Sequence, residues 1–197
     1  MPASPVVYST CVESLFLRGL RGRLTARCKE RLRQAGLDLD RKLEPSYPLG
    51  QWKEFLRLVV RELYPQHPAE AAYLELGVLF MDGFLETFIG KATMSVLRVL
   101  GPHRALKRLS HNLRAGNNFS KVELTVHGPT DMELWLNDVF ADHPAFTEGL
   151  LHRGHTASGA HACRVETLAF DGAAATLRIR WEEGSRRAEA ASSRTRP

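Results

Sequence analysis

Apolar positions recur every four residues at Leu20, Leu24, Cys28 and Leu32, and Gly36 follows where a helix would close. That spacing predicts a first amphipathic helix. After the turn-rich stretch "DLDRKLEPSYPLG", Trp52, Phe55, Leu56, Val59, Val60 and Leu63 mark a second helix ending at Pro65. The pattern resumes beyond Pro68 through Ala72, Leu76, Phe80, Phe84 and Phe88. It continues to Val96, Leu97 and Leu100, until Gly101 and Pro102 restart a short basic helix. Gly77, Gly83 and Gly90 interrupt this third apolar stripe. Each glycine costs about 1 kcal/mol relative to alanine in a helix, so a neighbouring backbone or a bound ligand must come close.

Past Asn117 the period falls from four to two. Val122, Leu124 and Val126 alternate, "HGPTD" turns the chain, and Met132, Leu134 and Leu136 alternate again, which predicts a hairpin. A helix fits "HPAFTEGLLHRGHTASG", with Phe146, Leu150 and either His152 or Arg153 bounding its buried side and Gly159 at its end. "CRVETLAF" and "ATLRIRW", joined at "DGAA", predict a second hairpin. The expected fold is α+β: an N-terminal helical half packed on one face of a four-stranded antiparallel sheet, in the order strand, strand, helix, strand, strand. One domain is expected over residues 1–181, helical over about 18–114 and sheet-forming over about 119–181. Residues 182–197 have no large apolar side chain and are expected to be disordered.

A chain of 197 residues is long enough to bury roughly 70% of its unfolded surface without staples. Its three cysteines, Cys11, Cys28 and Cys163, are odd in number and far apart, which suits reduced thiols rather than a disulfide framework. The N-terminus lacks the form of a secretory signal, and Asp82, Glu86 and Lys91 interrupt the most apolar segments, so a cytoplasmic protein without a membrane span is expected. The formal charge of +5 is unevenly spread: Arg18 to Arg33 holds seven Arg or Lys against Glu30 alone. A solvated arginine-rich face is the plainer account of that run, since no homeodomain, zinc-finger or RNA-recognition signature accompanies it.

The residues from Met132 to Trp181, with "GLL" at Gly149 to Leu151 between two hairpins, resemble a ligand-binding superfamily. It includes haem nitric-oxide-binding domains, vinyl-reductase-type regulatory domains and vesicle-tethering TRAPP subunits. Nearly the whole chain, through "LELGVLFMDGFLETFIGKA", "LGPHRALKRL", "GNNFSKVEL" and "EGLL", resembles an uncharacterised paralogous family best known from myxobacteria. That family has no assigned activity, so the resemblance implies a fold and not a task. The haem branch carries a Tyr, Ser and Arg triad just before the "GLL" helix and an axial histidine in the helical half. The corresponding segment here, "LWLNDVFADHPAFTEGLL", has none of the three, and His103 and His111 sit among Arg104, Lys107 and Arg108. On that ground no cofactor is expected, haem included.

Catalytic and metal constellations are equally sparse. His152 and His155 stand three apart near His143, His161 and Cys163, but no carboxylate or second cysteine stands at zinc-site spacing, so no metal is expected. Cys163 and His161 lack an orienting third partner, and "GLRGR" lacks the lysine and serine of a phosphate loop. No enzyme is expected. The glycines admit two readings: close backbone packing, or a cleft beneath Phe80, Phe84 and Phe88 that Trp135 roofs and Trp52 or Phe55 floors. In the second reading the pocket candidates are Trp52, Phe55, Phe80, Gly83, Phe84, Phe88, Gly90 and Trp135, with Arg104, Arg114 and Asn117 for an anionic head group. The chain then reads as a regulatory or sensory module that binds a small apolar or anionic ligand in a helix and sheet cleft and signals to a protein partner. The alternative is a homodimeric adaptor without ligand, similar to the tethering branch. A third reading is nucleic-acid binding through the basic helices.

Overall fold

A computed structural model of the chain describes residues 4–109 and 113–182. Of the tail expected to be disordered over residues 182–197, Glu182 is the last residue of a strand, and the rest, like His111, lies outside the described residues. Strand β1 (Val6–Tyr8) pairs antiparallel with β2 (Ser46–Pro48). Between them, α1 (Ser9–Val12) runs into a π-helix (Glu13–Gly19), followed by α2 (Ala26–Gln34). Next come α3 (Leu49–Leu63), α4 (Ala69–Glu86), α5 (Phe88–Leu100) and α6 (Pro102–Lys107). The remainder is β3 (Val122–Gly128), β4 (Asp131–Leu136), α7 (Ala145–Ala157), β5 (His161–Phe170) and β6 (Ala175–Glu182). These last four strands form an antiparallel sheet in the order β3-β4-β6-β5. The α+β architecture is therefore the one that the change of period implies. No described helix is long and apolar enough to cross a membrane.

Alternation decides the two faces of the sheet. Met132, Leu134 and Leu136 of β4 and Leu177, Ile179 and Trp181 of β6 are buried against the helices. The opposite face is charged: Arg178 donates to Asp131 at 2.7 Å and reaches Glu133. On the helical side, Trp52 donates its indole N–H to the Phe140 carbonyl at 2.8 Å. Phe16, Phe80 and Phe146 pack edge-on around it at centroid distances of 6.0, 6.3 and 6.5 Å.

Two helix boundaries differ from the sequence expectation. The first helix does not run from Leu20 to Gly36. Gly22 takes φ 75°, and α2 starts only after Thr25, whose hydroxyl accepts the Cys28 N–H at 3.1 Å. Leu20 instead closes the π-helix, whose wider repeat shifts the apolar phase. Structure also begins earlier than residue 18, because a strand as short as β1 shows no period. The long third helix is two. Thr87 is extended (φ −69°, ψ 157°), accepts the Gly90 N–H at 2.9 Å and donates to the Phe84 carbonyl at 2.7 Å. The turn carries Phe88 off the apolar stripe, leaving it 87% exposed.

Glycines mark where α4 touches other backbones. A Cβ on Gly77 would overlap the Phe146 carbonyl of α7, and one on Gly149 would overlap the Leu74 carbonyl of α4. Gly83 faces the Ser14 carbonyl of the π-helix, and Gly19 faces the Leu79 carbonyl in return. So α4 is held on two sides by backbone contacts that only a missing side chain permits.

Candidate ligand cavity

The far end of α4 leaves a gap. A cavity of about 120 Å³ lies between Phe80, Met81 and Phe84 of α4, Met94 and Leu97 of α5, Leu106 of α6, and Leu151 and His155 of α7. Thr10, Cys11, Gly116 and Asn117 close it from the N-terminal side. Nearly all of this wall is apolar, which is the ordinary character of a small-molecule site.

Its fully buried polar side chains are already engaged, with one exception. Asn117 is buried and accepts the Phe119 and Ser120 N–H groups at 3.0 and 2.8 Å while donating to the Leu113 carbonyl at 3.2 Å. Cys11 donates to the Gly116 carbonyl at 3.3 Å, and burial pushes its thiol up to about 12. His155 is the exception: it is only 5% exposed, and its Nε2 has no hydrogen-bond partner. Burial alone lowers its pKa to about 4, so the ring is neutral at physiological pH. The imidazole meets the Trp181 indole edge-on at 4.6 Å. Its own carbonyl accepts from Ser158 N at 3.1 Å, Ser158 Oγ at 2.7 Å and Ala160 N at 3.2 Å, which fixes the end of α7.

The structure gathers some of the sequence candidates and disperses others. Phe80, Phe84 and Asn117 line the cavity. Trp52 and Phe55 are buried in the aromatic core, outside the lining. Gly83 lies in the seam with the π-helix, and Gly90 sits against the Phe84 carbonyl at the start of α5. Phe88 is solvent-facing, and Trp135, 36% exposed, stands on the face of β4 opposite Leu134 and Leu136. Arg104 and Arg114 are exposed and do not line the cavity. His155 joins the site from a helix read as polar on that side. The available signal was its position four residues beyond Leu151, on the same helical face. The basic run near the N-terminus is largely matched by acids: Arg18 pairs with Glu13, Arg23 with Glu75, Arg27 and Arg31 with Glu62, and Arg33 with Glu30.

The cavity lies among α1, α4, α5, α6 and α7, and no strand of the four-stranded sheet lines it, so the cleft expected between helices and sheet is instead a gap within the helical side of an α+β domain. The family described as a protein of unknown function, DUF2378, matches residues 5–182, and the chain belongs to it. No curated protein matches the chain in sequence. Among solved structures, an Fe(II) unliganded H-NOX protein from K. algicida is similar at TM-score 0.64 and 10% identity, over 90% of this chain and 97% of that one. An oxygen-binding H-NOX domain related to soluble guanylate cyclases, solved as its oxygen complex, reaches TM-score 0.56 at 15% identity, over 89% and 93%. A structure concerned with haem redox potential and protein-induced porphyrin distortion reaches TM-score 0.64 at 15% identity, over 89% and 93%.

These neighbours overturn the expectation of a chain without cofactor. That expectation rested on a missing Tyr, Ser and Arg triad, yet the fold is shared with haem proteins across about nine-tenths of the chain. The triad concerns the propionates. The cavity is built from other segments of the fold.

Proposed function

We propose that this chain is a sensory domain that takes an apolar ligand into the cavity between α4, α5, α6 and α7, with haem a candidate because a protein of similar fold carries it. One observation carries the reading: an apolar cavity in an H-NOX-like fold, lined by Phe80, Phe84, Leu97, Leu106 and the buried ring of His155. As it stands the lining is apolar and offers no cation for the propionates of haem, so a macrocycle would fit only after the cavity widens, with Phe80, Phe84, Leu97 and Leu106 flanking it. Bound haem would supply an iron centre able to take a diatomic gas.

The chain's own part is to exclude water, keep the imidazole neutral and turn occupancy into movement. At about 120 Å³ the cavity is on the scale of an engineered void that holds benzene. A macrocycle therefore enters only as one wall moves outward. Helix α5 buries only Gly90 and Met94, so the α5–α6 wall costs least to displace. Its displacement is the signal passed to a protein partner, and no catalysis is needed. The three free cysteines suit a reducing compartment.

Titrating the purified chain with hemin tests the proposal. A saturable Soret band at one haem per chain, with a raised Tm, is the expected result. Free-hemin absorption at every ratio, with an unchanged Tm, would remove haem from the account. The cavity's volume favours a second reading, a one-ring apolar guest. Stabilisation by such a compound in the absence of hemin would point there.

A further inference from the structure

We propose that the outer face of α5 and α6 seats on an anionic lipid bilayer, with apolar side chains of α5 entering the headgroup layer and basic ones at its rim. The inference is independent of what fills the cavity. It starts from the two sides of α5. Gly90 and Met94 are buried on the inward side, and Met94 and Leu97 line the cavity. The opposite side carries Phe88, Ala92 and Val96, four residues apart, with Ile89 beside them. Phe88 is 87% exposed, Ile89 47% and Val96 49%. A helix apolar on both sides is ordinarily covered on both.

Charge says what covers it. From Thr87 to Val122 the chain holds seven Arg or Lys and no Asp or Glu. Lys91 is exposed on α5; on α6, Ala105 and Leu106 line the cavity while Arg104, Lys107 and the adjoining Arg108 are exposed. None of these four cations makes an ion pair with a described residue. The N-terminal basic run differs, since Arg23, Arg27, Arg31 and Arg33 are paired with acids. An apolar strip beside unpaired cations is the pattern of a helix that lies in the plane of an anionic membrane. A second copy of this chain would set the same cations against one another. Nucleic-acid interfaces are polar and leave Phe88 and Val96 without a use.

The test uses the full chain without hemin, sedimented with vesicles of phosphatidylserine and phosphatidylcholine in equal parts or of phosphatidylcholine alone. Binding to the mixed vesicles, absent from the neutral ones and weakened by salt, is the expected result. Phe88→Ser with Val96→Ser should weaken it by about tenfold or more. Arg104→Gln with Lys107→Gln should weaken it about fivefold for each charge removed. Arg21→Gln with Lys29→Gln removes the same charge from the N-terminal run and should leave binding unchanged, and circular dichroism checks that each variant folds. No sedimentation with the mixed vesicles overturns the inference. So does binding that survives the α5 and α6 changes, or that falls equally when Arg21 and Lys29 are neutralised. A dimer, or DNA retention, that depends on Phe88 and Val96 while vesicles are ignored would give the face to that partner and overturn it as well. Hemin uptake enters none of these outcomes, so the haem reading stands or falls separately.

Discussion

The two walls of the cavity are built by opposite means. On one side α4 is fixed to α7 and to the π-helix through glycines, so that main chain rests on main chain at Gly77, Gly149, Gly83 and Gly19. Helix α4 buries Ala72, Tyr73, Leu76, Leu79 and two glycines along its length. On the other side α5 buries only Gly90 and Met94 and leaves Phe88, Ile89 and Val96 exposed. Interfaces with interlocked backbones cannot slide without collisions, whereas a helix held by few apolar contacts opens at little cost. The contrast assigns roles: α4 and α7 are the frame that positions His155, and α5 with α6 is the wall that yields.

The largest expected effect breaks the frame. In Gly77→Ala or Gly149→Ala the new methyl meets a carbonyl oxygen and an amide nitrogen of the facing helix, neither of which can rotate away. Each should destabilise by about 3 kcal/mol or more, measured by urea unfolding. Gly154→Ala is the matched control on the same helix, because its Cβ would meet the flexible Met81 methyl at 3.1 Å. That change should cost about 1 kcal/mol or less. Equal costs at Gly149 and Gly154 would mean that α4 and α7 are not locked.

A second effect, of similar size but confined to acid, comes from the residue the frame positions. In the ligand-free protein the His155 pKa falls from 6.5 to about 4 through burial. Since the unfolded chain binds this proton first, stability from the neutral ring is fully present above about pH 6.5 and is lost as pH falls toward 4. The shift corresponds to about 3 kcal/mol across that window. Urea midpoints at pH 7 and pH 4.5 should therefore separate more for wild type than for His155→Leu. Identical separations in the two proteins would show that the ring is not buried and neutral.

Much of the frame was legible in the chain, and the cavity much less so. The hairpins and α7 show because a half-buried sheet imposes alternation, and turns at Gly128 to Asp131 and Asp171 to Ala174 punctuate it. The glycines of α4 announce a close approach, although spacing alone does not say whether to a backbone or a ligand. The break at Thr87 is hidden because apolar residues continue at helical spacing on both sides, and one hydroxyl turns the chain. That break is why Phe88 and Gly90 fall outside the cavity. His155 is obscured by its neighbours His152 and Arg153, whose side chains make α7 look solvated there. The expectation of no cofactor leaned on a triad, which is a local motif, while the cavity is assembled from segments between Thr10 and Ser158 that meet only in three dimensions.

The smallest expected effect sharpens the same contrast at the hinge of the yielding wall. Thr87 is buried, and its hydroxyl bridges the end of α4 to the start of α5 by accepting from Gly90 N and donating to the Phe84 carbonyl. Thr87→Ala removes both bonds without touching the α4 seams and should cost about 1 kcal/mol, the usual worth of an N-cap. The loss should be local. Amide exchange should quicken in residues 88–97, while α4 amides near Gly77 and α7 amides near Gly149 keep their wild-type rates. On the proposed relay, in which α5 moves outward to admit the macrocycle, hemin uptake should also quicken. Uniform acceleration across α4, α5 and α7 would show one cooperative unit rather than a frame and a wall, and the proposed relay through α5 would lose its mechanical basis.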